Sequence, residues 1–234
     1  MILDLDIGNS RVKWRTLEGR RPVARGQCPR TAPEWPNLLP QTDIERLRVA
    51  NVGGTEVAAV LAAWARGRLG LEPEFAGAER ARAGVTNGYA ESERLGVDRW
   101  LALLAAWSEL GGAGLVVSAG TALTLDLLDD AGRHRGGYIV PGLGLMLQSL
   151  LSGTSGVRLE PGPAATLAPG HGTAEAVLQG CTAMAVALIE RARDSAPLPV
   201  LLAGGDAELL APWITAPVLR RPELVLDGLG IALP

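Results

Sequence analysis

The stretch "LDLDIGNSRVKW", residues 3–14, decides the fold. Leu3, Leu5 and Ile7 alternate with Asp4 and Asp6, the period of a β-strand with one apolar face. Gly8, Asn9 and Ser10 follow as a tight turn, and "RVKW" starts a return strand. The stretch "VVSAGTALTLDLL", residues 116–128, repeats the design. Placing Gly8 on Gly120 sets Asp6 on Ser118 and Asn9 on Thr121. A duplicated strand–turn–strand unit, each copy followed by βα elements, predicts two similar α/β lobes that face one another, 1–110 and 111–234, with a boundary near residues 110–114.

Around these hairpins the chain alternates. Residues 22–28 read as a third strand, "RLRVANV" as a fourth and "EPEFAG" as a short fifth. A helix is predicted over "GGTEVAAVLAAWARGRLG", with Thr55 as its cap and Gly70 as its stop. Helices are also predicted over 97–110, 142–152 and "TAEAVLQGCTAMAVALIERARD", the last broken or closely packed at Gly180. "PVLLAGGDAELLAPWI" reads strand, double glycine, helix. "PELVLDGLGIAL" reads as a short strand and helix.

Composition narrows the function. With 234 residues, 47% apolar, the chain can bury a sizeable core. A net charge of −3 gives no footprint for nucleic acid or an anionic membrane. Lys13 is the only lysine and follows Val12, which excludes a Walker-type Gly-Lys-Ser/Thr loop. Cys28, Cys181, His134 and His171 are too few and too scattered for a zinc cluster, and the lone cysteines suit a reducing cytoplasm. No apolar run is expected to reach the roughly 18 residues of a membrane span.

Chemistry concentrates at four places. Backbone N–H groups in a turn of small residues approach phosphate oxygens closely, and Asp6 beside such a turn suits a Mg²⁺ that bridges phosphates. The same turn also suits a plain hairpin with Asp6 at a strand end. Gly204 and Gly205, between strand and helix, allow a flat ring to approach, although a double glycine is more often only a turn. Asp98 and Arg99 open a helix, where Asp98 is either an N-cap or a carboxylate placed to take a proton from a hydroxyl. Tyr89 lies in a polar loop before them. Thr173 is most simply an N-cap, at a helix N-terminus that also suits an anion.

Taken together, "DIGNS", "NGYAESERLGVDRWLALLAA", "AGTALTLD", "GGYIVPGLGLMLQSL", "TAEAVLQG", "AGGDA" and "PELVLDGL" resemble the type III pantothenate kinases of the actin-like, sugar-kinase and heat-shock ATPase superfamily. The resemblance implies two duplicated ribonuclease-H-like lobes with a central cleft for ATP. It assigns Asp6, Ile7, Gly8, Asn9, Ser10, Arg11, Val12 and Lys13 to the first phosphate motif. Gly120, Thr121 and Ala122 form the second, and Gly204 and Gly205 the adenosine motif. Asp98 becomes the general base on the primary hydroxyl of pantothenate, with Tyr89, Gly96, Val97, Arg99 and Thr173 lining the acceptor site. The implied cofactors are ATP, Mg²⁺ held at Asp6, and a monovalent cation, K⁺ or NH₄⁺. The implied assembly is a cytoplasmic homodimer in which Thr173 reaches the neighbouring subunit's site, with no nucleic-acid or membrane partner. The family carries aspartate where this chain has Ser118, so Asp126 or Asp129 becomes the candidate replacement carboxylate. The competing readings are another small-molecule kinase or polyphosphate hydrolase of the superfamily, and a nucleotide-binding accessory or regulatory protein with weak or no turnover.

Overall fold

The structure is a computed structural model that describes residues 1–153, 166–193 and 198–234. Its contacts divide the chain into two compact units, Met1–Glu109 with Glu223–Pro234, and Leu110–Pro222.

In the first unit, β1 (Ile2–Ile7), β2 (Arg11–Glu18) and β3 (Arg21–Pro29) form an antiparallel meander. β4 (Arg46–Asn51) pairs parallel with β1, α1 (Thr55–Leu69) crosses over, and β5 (Glu74–Phe75) pairs parallel with β4. The sheet order is β3-β2-β1-β4-β5. A two-stranded hairpin, β6 (Ala81–Arg82) and β7 (Val85–Thr86), leads to α2 (Val97–Leu110).

The second unit repeats this plan with β8 (Gly114–Ala119), β9 (Ala122–Leu128), β10 (His134–Pro141), β11 (Val200–Ala203) and β12 (Val218–Arg220). Its order is β10-β9-β8-β11-β12, with the first three antiparallel and the rest parallel. The helices are α3 (Leu143–Gly153), α4 (Thr173–Ala192) and the short α5 (Ala207–Leu210). Each unit thus repeats one α/β plan, as the repeated hairpin predicts, in the ribonuclease-H-like form that the resemblance implies.

Each sheet buries its own apolar layer. Leu3, Leu5 and Ile7 pack with Leu47, Val49 and Leu61 in the first unit. Leu115, Val117 and Leu125 pack with Ala185 and Ile189 of α4 in the second. At about 25 cal/mol per Å² of apolar surface, such burial supplies most of the stabilisation of each lobe.

Several local expectations are corrected. The alternation of Asp4 with Leu3 and Leu5 does not mark a solvent face. Asp4 is 0% exposed, and Arg15 and Arg48 bond its two oxygens, with Arg48 Nε 2.7 Å from Oδ1. A central strand with parallel pairing is covered on both faces, so alternation here separates two interiors. The cover includes α6 (Leu224–Ala232), which packs on β1 and β4 and puts Asp227 on Arg15. A Cβ on Gly228 would lie 2.1 Å from the Leu101 carbonyl oxygen, so α6 meets α2 backbone to backbone. The last residues therefore belong with the first unit rather than with 111–234, and no strand forms within "PELVL".

Thr55 and Thr173 are not caps. Gly54 and Gly172 occupy those positions without side-chain capping bonds, while Gly70 ends α1 in the left-handed region as expected. α4 runs unbroken through Gly180, where an added Cβ would meet nothing within 4 Å. Its predicted end at Asp194 lies outside the described residues. With 20 residues and a mean hydropathy of 1.2, α4 is also long and apolar enough to cross a membrane by length and composition. The expectation that no segment reaches this criterion fails here because alanine, valine and leucine recur around the helix; 33% of the stretch is buried against the second core.

Candidate active site

Asp6 sits at the end of β1, opposite Lys13 of β2 and Ala50 of β4. The chain reverses through residues 8–11, closed by the Gly8 N–H to the Arg11 carbonyl at 3.0 Å. The Arg30 side chain and backbone brace this turn through the carbonyls of Asn9 and Ser10. Asn9, Ser10 and Arg11 are exposed, so the turn is presented outward from the sheet end.

The Asp6 carboxyl is raised to about 6, first by burial. Lys13 opposes that rise, and the Asp98 carboxylate adds to it. The structure therefore brings Asp6 and Asp98, 92 positions apart in sequence, into one electrostatic field. Two carboxyls in one field resist joint ionisation unless a cation joins them. Among the described residues no group of three or more His, Cys, Asp or Glu forms a metal cage. That donor set fits Mg²⁺, which keeps much of its water and uses one or two carboxylates plus phosphate oxygens.

Asp98 lies inside the first turn of α2, and its Oδ1 accepts the Arg99 N–H at 2.9 Å. It is thus not the cap residue of a helix that begins at Val97. A Cβ on Gly96 would fall 2.7 Å from Asp98 Oδ1, so glycine leaves the carboxylate its place. Arg99 is 6% exposed, and its Nη1 donates to the Tyr89 hydroxyl at 2.9 Å. Its guanidinium carbon also lies 5.7 Å from the Tyr89 ring centroid. A cation in the first turn opposes the helix dipole, which is a cost that an anionic ligand would offset. Asp6, Asp98, Gly96, Val97, Arg99 and Tyr89 all belong to the first unit.

The second unit holds the other predicted residues. Gly120, Thr121 and Ala122 make a turn closed by the Gly120 N–H to the Ala122 carbonyl at 3.1 Å. The Gly142 N–H bonds the Thr121 carbonyl, and a Cβ on Gly142 would lie 2.0 Å from the Gly120 oxygen. Gly204 has φ +99°, and a Cβ there would lie 2.1 Å from the Ala119 oxygen. Only glycine tolerates both the dihedral and the approach. Gly205 is different, because a Cβ there would meet nothing within 4 Å. The double glycine thus seals against β8 on one side and opens on the other. Beside it, burial raises the Asp206 carboxyl above its ordinary range.

Ser118 is half-buried on β8, opposite Thr124 and Ala203. Neither candidate replacement carboxylate serves its position. Asp126 is 2% exposed and is bound to His134 Nε2 at 2.8 Å. Asp129 accepts the Ala131 and Arg133 N–H groups in the turn beyond β9. At about 3.3 Å per strand residue that turn lies roughly 20 Å from Ala122. Thr173 is exposed in the first turn of α4, where Glu175 accepts the His171 N–H. Sequence reasoning missed the buried Asn87 under Tyr89; its only signal was its place in "NGY".

The chain resembles known proteins along its length. The type III pantothenate kinase family model matches residues 2–195. A type III pantothenate kinase of Chromohalobacter salexigens is 38% identical over 246 residues, covering 100% of this chain and 88% of its own. One from Dechloromonas aromatica is 39% identical over 244 residues, covering 98% and 97%. Among solved structures, a Campylobacter jejuni protein whose name places it with Baf family transcriptional activators superposes with a TM-score of 0.67 at 22% identity, covering 97% of this chain and 95% of its own. Component A of Acidaminococcus fermentans (R)-2-hydroxyglutaryl-CoA dehydratase gives 0.55 at 12%, covering 99% and 96%, a likeness of fold alone. With the family matched over residues 2–195 and relatives aligned along essentially its whole length, the chain belongs to the type III pantothenate kinase family.

Proposed function

We propose that this protein phosphorylates pantothenate with ATP, giving 4'-phosphopantothenate and ADP, the first step of coenzyme A biosynthesis. The observation that carries the reading is the Asp98 carboxylate at the start of α2, coupled to Asp6 and flanked by the Arg99–Tyr89 pair.

Asp98 accepts the proton of the primary hydroxyl as its oxygen attacks the terminal phosphorus. The bond from that phosphorus to the bridging oxygen breaks, and ADP leaves. Arg99 and the Tyr89 hydroxyl hold the pantothenate carboxylate and orient the alcohol. Asp6 and the turn residues Ile7, Gly8, Asn9, Ser10, Arg11, Val12 and Lys13 bind and align the triphosphate. Gly120, Thr121 and Ala122 contribute the second phosphate contact, and Gly204 with Gly205 the adenosine contact. Mg²⁺ at Asp6, when bound, neutralises phosphate charge. Ser118 would offer a monovalent cation, K⁺ or NH₄⁺, a hydroxyl rather than a carboxylate, and such an ion would add to that neutralisation.

The assembly proposed is a cytoplasmic homodimer, with Thr173 contributing to the neighbouring subunit's acceptor site and with no nucleic-acid or membrane partner. Its support is apolar surface on the helix-bearing side of the second unit: Tyr138 on β10, Leu145, Leu150 and Leu151 on α3, and Met184 on α4. Met184 is 64% exposed, and a contiguous exposed apolar patch is a common mark of a protein–protein interface.

The test is an ADP-release assay with Mg²⁺ and K⁺, with and without pantothenate. Pantothenate-dependent release is expected. Release indifferent to pantothenate would contradict the reading, and nucleotide binding without turnover would favour the accessory role that Ser118 suggests.

A further inference from the structure

The loop that carries Tyr89 is built around one buried amide. Asn87 follows the β6–β7 hairpin and is 1% exposed. Its Nδ2 donates to the Glu79 carbonyl at 3.2 Å and to the Ser92 carbonyl at 3.1 Å. Its Oδ1 accepts the Tyr89 N–H at 2.9 Å, and its own N–H donates to the Arg80 carbonyl at 2.9 Å. One side chain therefore ties the entry, crest and exit of the segment. On the outside, the exposed Arg80 guanidinium donates to the Tyr89 carbonyl at 3.0 Å and reaches the Asn87 carbonyl.

These contacts continue inward. Asn87 and Arg80 hold the backbone of Tyr89 from both sides, and the Tyr89 hydroxyl accepts from Arg99, next to Asp98. The chemistry of the buried point is demanding. It needs two donors and one acceptor, which an amide supplies and a carboxylate does not. An aspartate would aim its oxygens at two carbonyls in a dry site, and an alanine would leave three backbone groups short of partners.

We infer that Asn87, with Arg80 as an outer brace, is a positioning residue that sets affinity for the anionic phosphate acceptor by holding Tyr89 against Arg99. The inference rests on the reading of Tyr89 and Arg99 as acceptor contacts. It separates Asn87 from a general stabiliser of the loop, because it places the effect in acceptor binding rather than in transfer.

Steady-state kinetics of the full chain test it, with ATP and pantothenate varied in turn. Asn87→Ala and Asn87→Asp raise KM for pantothenate about 10- to 50-fold, while kcat and KM for ATP stay within about 3-fold. Arg80→Gln, on the surface and harmless to folding, raises the pantothenate KM about 3-fold. Tyr89→Phe added to Asn87→Ala raises it no further than Asn87→Ala alone, because the contact is already lost. Unchanged pantothenate KM in soluble Asn87 variants, a loss confined to kcat, or independent effects in the double variant would overturn the inference. Should both Asn87 variants fail to fold, an unchanged KM in Arg80→Gln overturns it and a selective rise supports it. A wild-type protein with no pantothenate-dependent turnover overturns the functional reading and this inference together. An active wild type with insensitive variants overturns this inference alone.

Discussion

The two units share one strand order and one pairing scheme, yet their central hairpins carry opposite chemistry. In the first, Asp4 stands opposite Arg15 and Asp6 opposite Lys13. At the matching places in the second, Val116 stands opposite Asp126 and Ser118 opposite Thr124. Four residues separate the paired Ile7 and Val12, while three separate Ala119 and Leu123. The apolar alternation and the small-residue turns suffice to repeat the fold. The charges need not repeat, and only the first unit keeps a carboxylate at the strand end. The second unit spends its one buried carboxylate among the described residues, Asp126, on His134 and shapes its turns with glycine instead. One copy of the fold is thus built for charge and the other for close backbone approach.

The sharpest way to break that contrast is to remove the base from the first unit. Asp98→Asn should lower kcat about 10²- to 10⁴-fold while KM for ATP changes little, as loss of general-base catalysis does. Full activity in this variant would take Asp98 out of the chemistry.

Asp6 comes next. Its carboxyl is raised to about 6 in the folded protein. The stability tied to its protonation is complete below the ordinary value of 3.8 and is lost as pH rises through about 6. Mg²⁺ binds the ionised form, so it should raise the melting temperature more at pH 7.5 than at pH 5. Asp6→Asn should abolish that difference and make the metal-free protein at pH 7.5 no less stable than wild type. A metal response equal at both pH values would place the ion away from Asp6.

A smaller effect is expected from restoring charge to the second unit. Ser118→Asp should shift the Mg²⁺ or K⁺ concentration for half-maximal activity by a few-fold, roughly 2- to 10-fold, the scale of one partly screened charge. No shift in either ion would mean that position 118 lies outside the ion shell.

How much of this was legible in the chain follows the range of each interaction. The hairpins, α2 and the Gly70 stop depend on neighbours in sequence, and their patterns predict them. The burial of Asp4 does not, because its cover arrives with α6, more than 200 residues later. Asp126 looked free to replace Ser118, since nothing local showed that β10 would fold back and bring His134 to it. Thr55 and Thr173 looked like caps because a polar residue before an apolar run usually is one; each stands one place after a glycine that takes the cap. The site was readable as residue types, whereas the coupling of Asp6 to Asp98 and the support of Tyr89 by Asn87 required the fold.

The most direct measurement is a crystal structure of the protein with pantothenate and a non-hydrolysable ATP analogue. The account predicts the primary hydroxyl within about 2.6–3.2 Å of an Asp98 oxygen and the acid's carboxylate on Arg99 and Tyr89. Pantothenate bound in any pose that leaves its hydroxyl out of reach of Asp98 would contradict it.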